Sequence, residues 1–222
     1  MARFPSSLSL TFLLLPMASL AATFTVTDAG DVPLGGAVHC NAGSTTCTLR
    51  AAIERANANV DADTIAFDFG GAATTISPAT PLPAVTFPVI IDGTTNGGTP
   101  NSAATGTNAV ITVRIDGAGA GAGTSGILFR PGASASVLRG VAVTRFNGAG
   151  VFITANNTPH LQSVQILGNF IGTDGSGSVD DTAGLLANRW GVHIANHATS
   201  TKVGDGSASG RNLIVARADG ES

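Results

Sequence analysis

Two aspartates and two arginines in the middle of the chain have the residue types that an enzyme acting on acidic polysaccharides would use. They are Asp92, Arg114, Asp116 and Arg139. A polysaccharide lyase needs a base that removes the proton next to a carboxylate, and cations that neutralise that carboxylate. Alternating side chains along strands could bring some of the four to one outer face. We keep them as an alternative lyase site, beside the simpler interpretation of arginines on a solvent-facing surface.

The aspartates also have a structural interpretation. Asp68, Asp92 and Asp116 are equally spaced along the chain, and glycine follows the last two. Such residues could form a carboxylate ladder for cations. Asp at the end of a strand also begins turns, because its side chain accepts hydrogen bonds from nearby backbone amides. We favour the turn.

A second group of oxygen-bearing side chains resembles part of a calcium loop. Asp174, Ser176, Ser178 and Asp180 occupy positions 1, 3, 5 and 7 of such a loop. The glycine at position 6 is missing, and Leu185 stands where the closing Glu would be. We therefore assign no cofactor and no metal site, with calcium at these four residues as the alternative.

The composition favours a turn-rich β protein. The 222 residues include 29 Gly, and only 11% are charged, against a usual share of about 25%. The 43% of hydrophobic residues suffices for a core. A net charge of −3 with a single lysine, Lys202, indicates that nucleic acid is not a partner. Few charged groups remain for an active site, so we assign no catalytic residue.

The N-terminus predicts export. Residues 1–21 contain one positive charge, a short apolar run and a small-residue cleavage site, which together indicate a signal peptide. The apolar run is too short to span a bilayer, and the mature chain contains no candidate transmembrane helix. In an oxidising compartment, Cys40 and Cys47 are expected to form a disulfide, and His39 alone does not complete a zinc site with them.

A regular repeat predicts the architecture. Ile65, Val89, Val113, Val137 and Leu161 follow one another at one constant interval. Each unit consists of short runs rich in Val, Ile and Phe between Gly, Asn, Asp or Pro, which is typical of strands. Stacked in parallel, these positions would form one inward ladder. We therefore predict an all-β parallel β-helix, a solenoid of about 24 residues per coil, rather than an antiparallel sandwich.

The solenoid is predicted over residues 61–222, with an insertion near 172–189. Residues 22–60 are predicted as an N-terminal cap that contains the disulfide and an amphipathic helix at 48–59, with Thr48 as the N-cap and Arg50 facing away from the core. The chain stops directly after the strand-like residues 212–216, so we expect it to be a fragment of a longer β-helix.

Two segments resemble a known family. Cys47-Thr-Leu-Arg-Ala-Ala-Ile53 followed by Ala56-Asn57 resembles the CSLREA-type N-terminal motif of exported bacterial proteins, with Thr48 for its Ser and Ala51 for its Glu. Gly168-Asn-Phe-Ile-Gly-Thr-Asp174 is similar to the repeats found downstream in those proteins. The resemblance implies a right-handed parallel β-helix that is exported to the envelope or the medium, and it carries little about chemistry.

These features favour a secreted or cell-surface protein, extracellular or periplasmic, with a structural, adhesive or glycan-binding role. Its expected partners are glycans or other envelope proteins. The alternative is a polysaccharide lyase or glycoside hydrolase that acts on an extracellular acidic polysaccharide. Whether the protein is an enzyme stays open at this point, and the scattered charges favour the view that it is not.

Overall fold

The protein is built mainly from short strands that run parallel to their neighbours. The computed structural model describes residues 20–35, 38–41, 44, 46–155, 160–177 and 186–217. In chain order the strands are β1 (Thr23–Val26), β2 (Asp63–Phe67), β3 (Thr74–Ile76), β4 (Val89–Asp92), β5 (Val113–Asp116), β6 (Ile127–Phe129), β7 (Val137–Arg139), β8 (Val141–Thr144), β9 (Ala149–Thr154), β10 (Leu161–Gln162), β11 (Gln165–Leu167), β12 (Phe170–Ile171), β13 (Trp190–Ala195), β14 (Ala198–Thr199), β15 (Lys202–Val203) and β16 (Leu213–Ile214).

These strands form four separate parallel sheets. The first sheet has the order β1-β2-β4-β7-β11-β15 and the second has the order β16-β12-β8-β5-β3. The third sheet is β13-β9-β6, and β10 pairs with β14 in the fourth. Consecutive strands along the chain mostly belong to different sheets, so neighbours within a sheet come from distant parts of the sequence.

The predicted right-handed parallel β-helix, a solenoid with coils of constant length, is therefore wrong. No described sheet closes on itself, and the residues of the predicted inward ladder do not form one ladder. Ile65, Val89 and Val137 lie in the first sheet, whereas Val113 lies in the second and Leu161 in the fourth. Even within the first sheet, Val89 pairs with a residue two positions before Ile65. The constant spacing thus joins residues that occupy different sheets.

The physical reason is that the chain returns to a sheet after unequal intervals. In the first sheet, Ile65 pairs with Ile91, Ile91 with Leu138, Leu138 with Ile166, and Ile166 with Val203. The residue numbers of these partners show that no two of the four steps have the same length. Backbone hydrogen bonding between strands fixes only the paired residues, so the connections can differ in length.

The longest of these connections, between Ile91 and Leu138, contains an additional excursion. After β4, a short 3₁₀ turn covers Gly93–Asn96, and an antiparallel bridge between Thr99 and Val110 closes the segment that follows. The amide of each bridge residue donates to the carbonyl of the other at 2.9 Å. The segment therefore leaves the sheets and comes back before β5 begins.

Apolar side chains from the sheets form the core. In the first sheet, Phe24, Ile65, Ile91, Leu138 and Ile166 are direct neighbours on successive strands, and all are buried. Burial of a side chain of this size stabilises a fold by about 1.5–3 kcal/mol. Repeated apolar pairs of this kind supply most of the stability of the protein.

The N-terminal helix packs against the first sheet. Helix α1, Leu49–Ala56, lies where the sequence predicts a helix, and it contacts β1 and β2. The hydroxyl of Thr48 accepts a hydrogen bond from the Ala51 amide at 3.2 Å. Arg50 was predicted to face solvent, but it is buried and forms two hydrogen bonds with Asp31, at 2.8 and 2.9 Å. The carboxylate of Asp31 compensates the charge of Arg50, so the guanidinium can be buried beside the apolar side of the helix.

The predicted disulfide is confirmed. Cys40 and Cys47 are joined, and both are buried beside the start of α1. Within the residues that the structure describes, no helix has the length and apolar character needed to cross a membrane. All but the last two residues of the predicted signal peptide, 1–21, lie outside the described residues, as do 178–185 of the predicted insertion 172–189.

Candidate functional site

The three equally spaced aspartates begin turns. A side-chain oxygen of Asp68 accepts from the amide of Gly70 at 3.0 Å, and Asp92 and Asp116 accept from the amides two residues later at 3.0 and 3.1 Å. Each carboxylate thus satisfies backbone groups where a strand ends. This arrangement is the turn that the sequence favours.

The first pair from the alternative lyase site is held in an ion pair. Asp92 and Arg139 occupy paired positions on β4 and β7, and their side chains meet at 2.6 Å. Burial raises the pKa of Asp92, but hydrogen bonds from Arg139 and Thr94 outweigh it and hold the pKa below its usual value. A carboxylate stabilised in this way is a poor proton acceptor, because a general base needs a pKa near the working pH.

The second pair lies in another sheet. Arg145 binds the buried carboxylate of Asp116 through three hydrogen bonds of 2.6 to 2.9 Å, and Arg114 stands 3.6 Å from the same carboxylate. The hydrogen bonds to Asp116 hold the pKa of Arg145 above its usual value. The structure therefore divides the four predicted residues into two ion-paired groups, on the first and second sheets, rather than bringing them together in one cleft.

A cleft of about 380 Å³ does open beside Arg139. Asp205 also lines it, and hydrogen bonds from Ser207 hold the pKa of this exposed carboxyl below its usual value. A glycoside hydrolase needs one carboxylic acid with a raised pKa to protonate the leaving group. The pKa values of Asp92 and Asp205 are both shifted in the other direction.

The alternative calcium loop is described only in part. Asp174 accepts hydrogen bonds from the amide and the hydroxyl of Ser176, at 2.9 and 2.6 Å, as in a local turn. Ser178 and Asp180 lie outside the described residues. Within the ranges that the structure covers, no group of three or more His, Cys, Asp or Glu side chains is placed to hold a metal ion. Calcium at these four positions stays an untested alternative.

The third sheet carries a row of outward-facing side chains across its strands. Leu128 on β6 pairs with Phe152 on β9, and Phe152 pairs with His193 on β13. The neighbours of Leu128 and Phe152 along their strands point into the core, since the side chains of a strand alternate between its two faces, whereas Ile194 beside His193 is 43% exposed. With strands about 4.8 Å apart, the row runs roughly 10 Å across the sheet.

Aromatic rings line this row. The Phe152 and His193 rings are stacked with centroids 4.6 Å apart, and the Trp190 ring lies 5.3 Å from His193. Trp190 is 46% exposed, and the guanidinium carbon of Arg189 lies 4.6 Å from its ring centroid. Cation–π contacts of this kind orient an exposed ring. The result is a partly exposed aromatic platform, formed by Trp190, Phe152 and His193.

The platform forms the floor of a groove of about 400 Å³. Its walls include the hydroxyl-bearing Thr124 and Ser125 and the guanidinium of Arg130. The Ser125 oxygen accepts from the amide of Ala149 at 3.1 Å, which leaves its hydroxyl hydrogen for a ligand. Apolar floors with a few polar groups at the side are typical of small-molecule and glycan sites.

Buried Asn188 positions the strand that carries the tryptophan. Its side-chain nitrogen donates to the carbonyl of Val143 at 2.8 Å, and its oxygen accepts from the amide of Phe146 at 2.9 Å. Trp190 follows two residues later and pairs with Ala149 on β9. Fully satisfied buried amides of this kind fix a single backbone path.

Comparison with family models, curated proteins and solved structures finds no match. A function for the groove must therefore be argued from the geometry of the groove itself. The sequence patterns described above did not point to the aromatic platform. A usable signal was present, since the repeated runs Gly126–Phe129, Gly150–Ile153 and Gly191–Ile194 align Leu128, Phe152 and His193.

Proposed function

We propose that the protein is an exported glycan-binding protein and that a polysaccharide lies along the groove of the third sheet. The observation that carries this proposal is the partly exposed aromatic platform. A sugar ring has one face of C–H groups, which pack on an aromatic ring, and hydroxyl groups at its edge, which hydrogen-bond to polar side chains. The platform and the hydroxyl of Ser125 offer both kinds of contact.

Export is supported by three independent features. The signal-like residues 1–21, the resemblance of residues 47–57 to the CSLREA-type motif of exported bacterial proteins, and the disulfide all favour an oxidising compartment outside the cytoplasm. A structural or adhesive role at the cell surface is compatible with the same binding groove. Glycan recognition is the form of that role that the groove supports best.

The lone tryptophan allows a direct test. Trp190 is the only Trp in the chain, and there is no Tyr, so indole fluorescence reports on the groove alone. Titration of the mature protein with a panel of soluble polysaccharides should change Trp190 emission in a saturable way for at least one of them. Phe152→Ala keeps the fluorophore but removes part of the platform, and it should weaken binding about tenfold or more.

The matched control is Val203→Ala, which truncates an exposed apolar side chain on the first sheet, outside the groove. It should leave the titration unchanged, and circular dichroism should verify the fold of both variants. The proposal fails if no polysaccharide alters Trp190 emission, or if Phe152→Ala binds as tightly as the parent protein.

The enzymatic alternative is tested with the same samples. A lyase would release unsaturated sugar ends from an acidic polysaccharide, and a hydrolase would release new reducing ends. The ion pairs of Asp92 and Asp116 with arginines speak against both activities. Release of either product would replace the binding proposal by an enzymatic one.

A further inference from the structure

The charges around the groove are one-sided. Its lining includes the cationic side chain of Arg130 and the imidazole of His193, and none of the described lining residues is Asp or Glu. The chain as a whole carries more acidic than basic residues, 14 against 11. The groove, which has a cationic side chain and no carboxylate in its described lining, therefore differs in sign of charge from the protein as a whole.

Arg130 differs from three arginines that are held by carboxylates. Arg50, Arg139 and Arg145 each form an ion pair with an aspartate. No carboxylate in the described part of the chain lies within ion-pair distance of Arg130, although the residue is only partly exposed. Partial desolvation without a counter-ion is unfavourable, and an anionic ligand would relieve it.

The position of Arg130 also suits a ligand on the platform. It follows β6 directly and lies two residues after Leu128, so it continues the outward side of that strand. Its amide donates to the carbonyl of Val85 at 2.9 Å, which fixes the backbone from which the guanidinium extends. The guanidinium presents a fork of donors that matches a carboxylate.

We propose that the groove selects acidic polysaccharides, with Arg130 binding the carboxylate of a uronic acid unit while a sugar ring packs on the aromatic platform. This inference rests on the proposed glycan-binding function and names its ligand class. A Ser125 hydroxyl that can donate a hydrogen bond lies in the same groove. The stacking contacts give affinity for a sugar chain, and Arg130 distinguishes a charged chain from a neutral one.

A charged polymer and its uncharged ester, which share one backbone, test the inference. Polygalacturonate oligomers and their fully methyl-esterified forms share one backbone, and both are titrated against the mature protein by Trp190 fluorescence and calorimetry. The acidic form should bind at least about tenfold more tightly, the usual effect of one charge-assisted hydrogen bond. Arg130→Gln should remove that advantage and leave the affinity for the ester unchanged. A sulfated neutral-backbone polymer in a third arm shows whether the guanidinium prefers sulfate to carboxylate.

Arg55→Gln is the matched control, because Arg55 is an exposed arginine on α1, outside the groove. It removes the same charge, so any loss that it shares with Arg130→Gln reflects net charge alone. Equal affinity for the acid and the ester, tighter binding of the sulfated polymer than of the acid, or equal losses in the two variants would overturn the inference while glycan binding stands. Absence of binding to every polymer would instead refute the proposed function.

Discussion

The hydrogen bonds of Asn188 should be worth a large share of the stability of this protein. Asn188→Ala would leave the buried amide of Phe146 without its partner and would remove one of two hydrogen bonds to the carbonyl of Val143, which keeps the bond from the Gly172 amide. A buried polar group that loses its partner costs about 1–3 kcal/mol. The orphaned Phe146 amide predicts a decrease of about 1–3 kcal/mol in the free energy of unfolding, a substantial fraction of the total for a small domain.

Urea denaturation measures this loss with two probes, Trp190 fluorescence and far-ultraviolet circular dichroism. Coincident transitions would support two-state unfolding, which the calculation of a free energy requires. The control is Asn147→Ala, because Asn147 is exposed and is only three residues beyond Thr144, the end of β8. Surface substitutions of this kind usually change stability by less than about 0.5 kcal/mol. If Asn188→Ala costs no more than Asn147→Ala, the argument from buried hydrogen bonds is refuted.

Three further predictions concern packing, pH and the disulfide. An added Cβ at Gly150 would lie 2.6 Å from the Cγ2 atom of Ile171, so Gly150→Ala should cost about 1–3 kcal/mol in urea denaturation. The pKa of Asp92 is lowered in the folded protein, so its contribution to stability is present above its unfolded pKa of about 3.9 and is lost as the pH falls through the folded value. Asp92→Asn should therefore flatten the loss of stability measured between neutral pH and pH about 2. Replacement of Cys40 and Cys47 by Ser opens a loop between residues seven apart, and the thermal midpoint should fall with a loss of at most about 2.5 kcal/mol.

The disulfide and the turn-forming aspartates could be predicted because each depends on local chemistry. Cys40 and Cys47 are the only cysteines in a chain predicted to be exported, and only one pairing is available to them. Asp92 and Asp116 are followed by glycine and end apolar runs, which is enough to indicate a turn. Their arginine partners required the strand register, because Arg139 and Arg145 are 47 and 29 residues away.

The repeat does not predict the architecture correctly, because its one spacing does not hold over the whole chain. The interval of the repeat does hold between Leu128 and Phe152, which pair on the third sheet. It fails between Ile91 and Leu138, where the chain leaves the sheets in between. Apolar residues are so frequent in this sequence that several of them recur at a fixed interval even though that interval is not the repeat of the fold.

The groove could not be predicted from residue types alone. Phe152 and His193 are distant in the sequence and meet only because β9 and β13 pair in one register. A histidine on a strand does not by itself indicate a binding site, and the stacking of His193 on Phe152 is visible only in the structure. The single Trp was a further clue, beside the repeated runs that align Leu128, Phe152 and His193.

The unequal lengths of the connections have a consequence for engineering and for divergence. Because each strand pair fixes its own register, the segment closed by Thr99 and Val110 can be lengthened or exchanged without moving the strands on either side. New recognition can be added by loop grafting at the separate cleft that Thr99 and Val110 line, while the aromatic platform on the third sheet keeps its place.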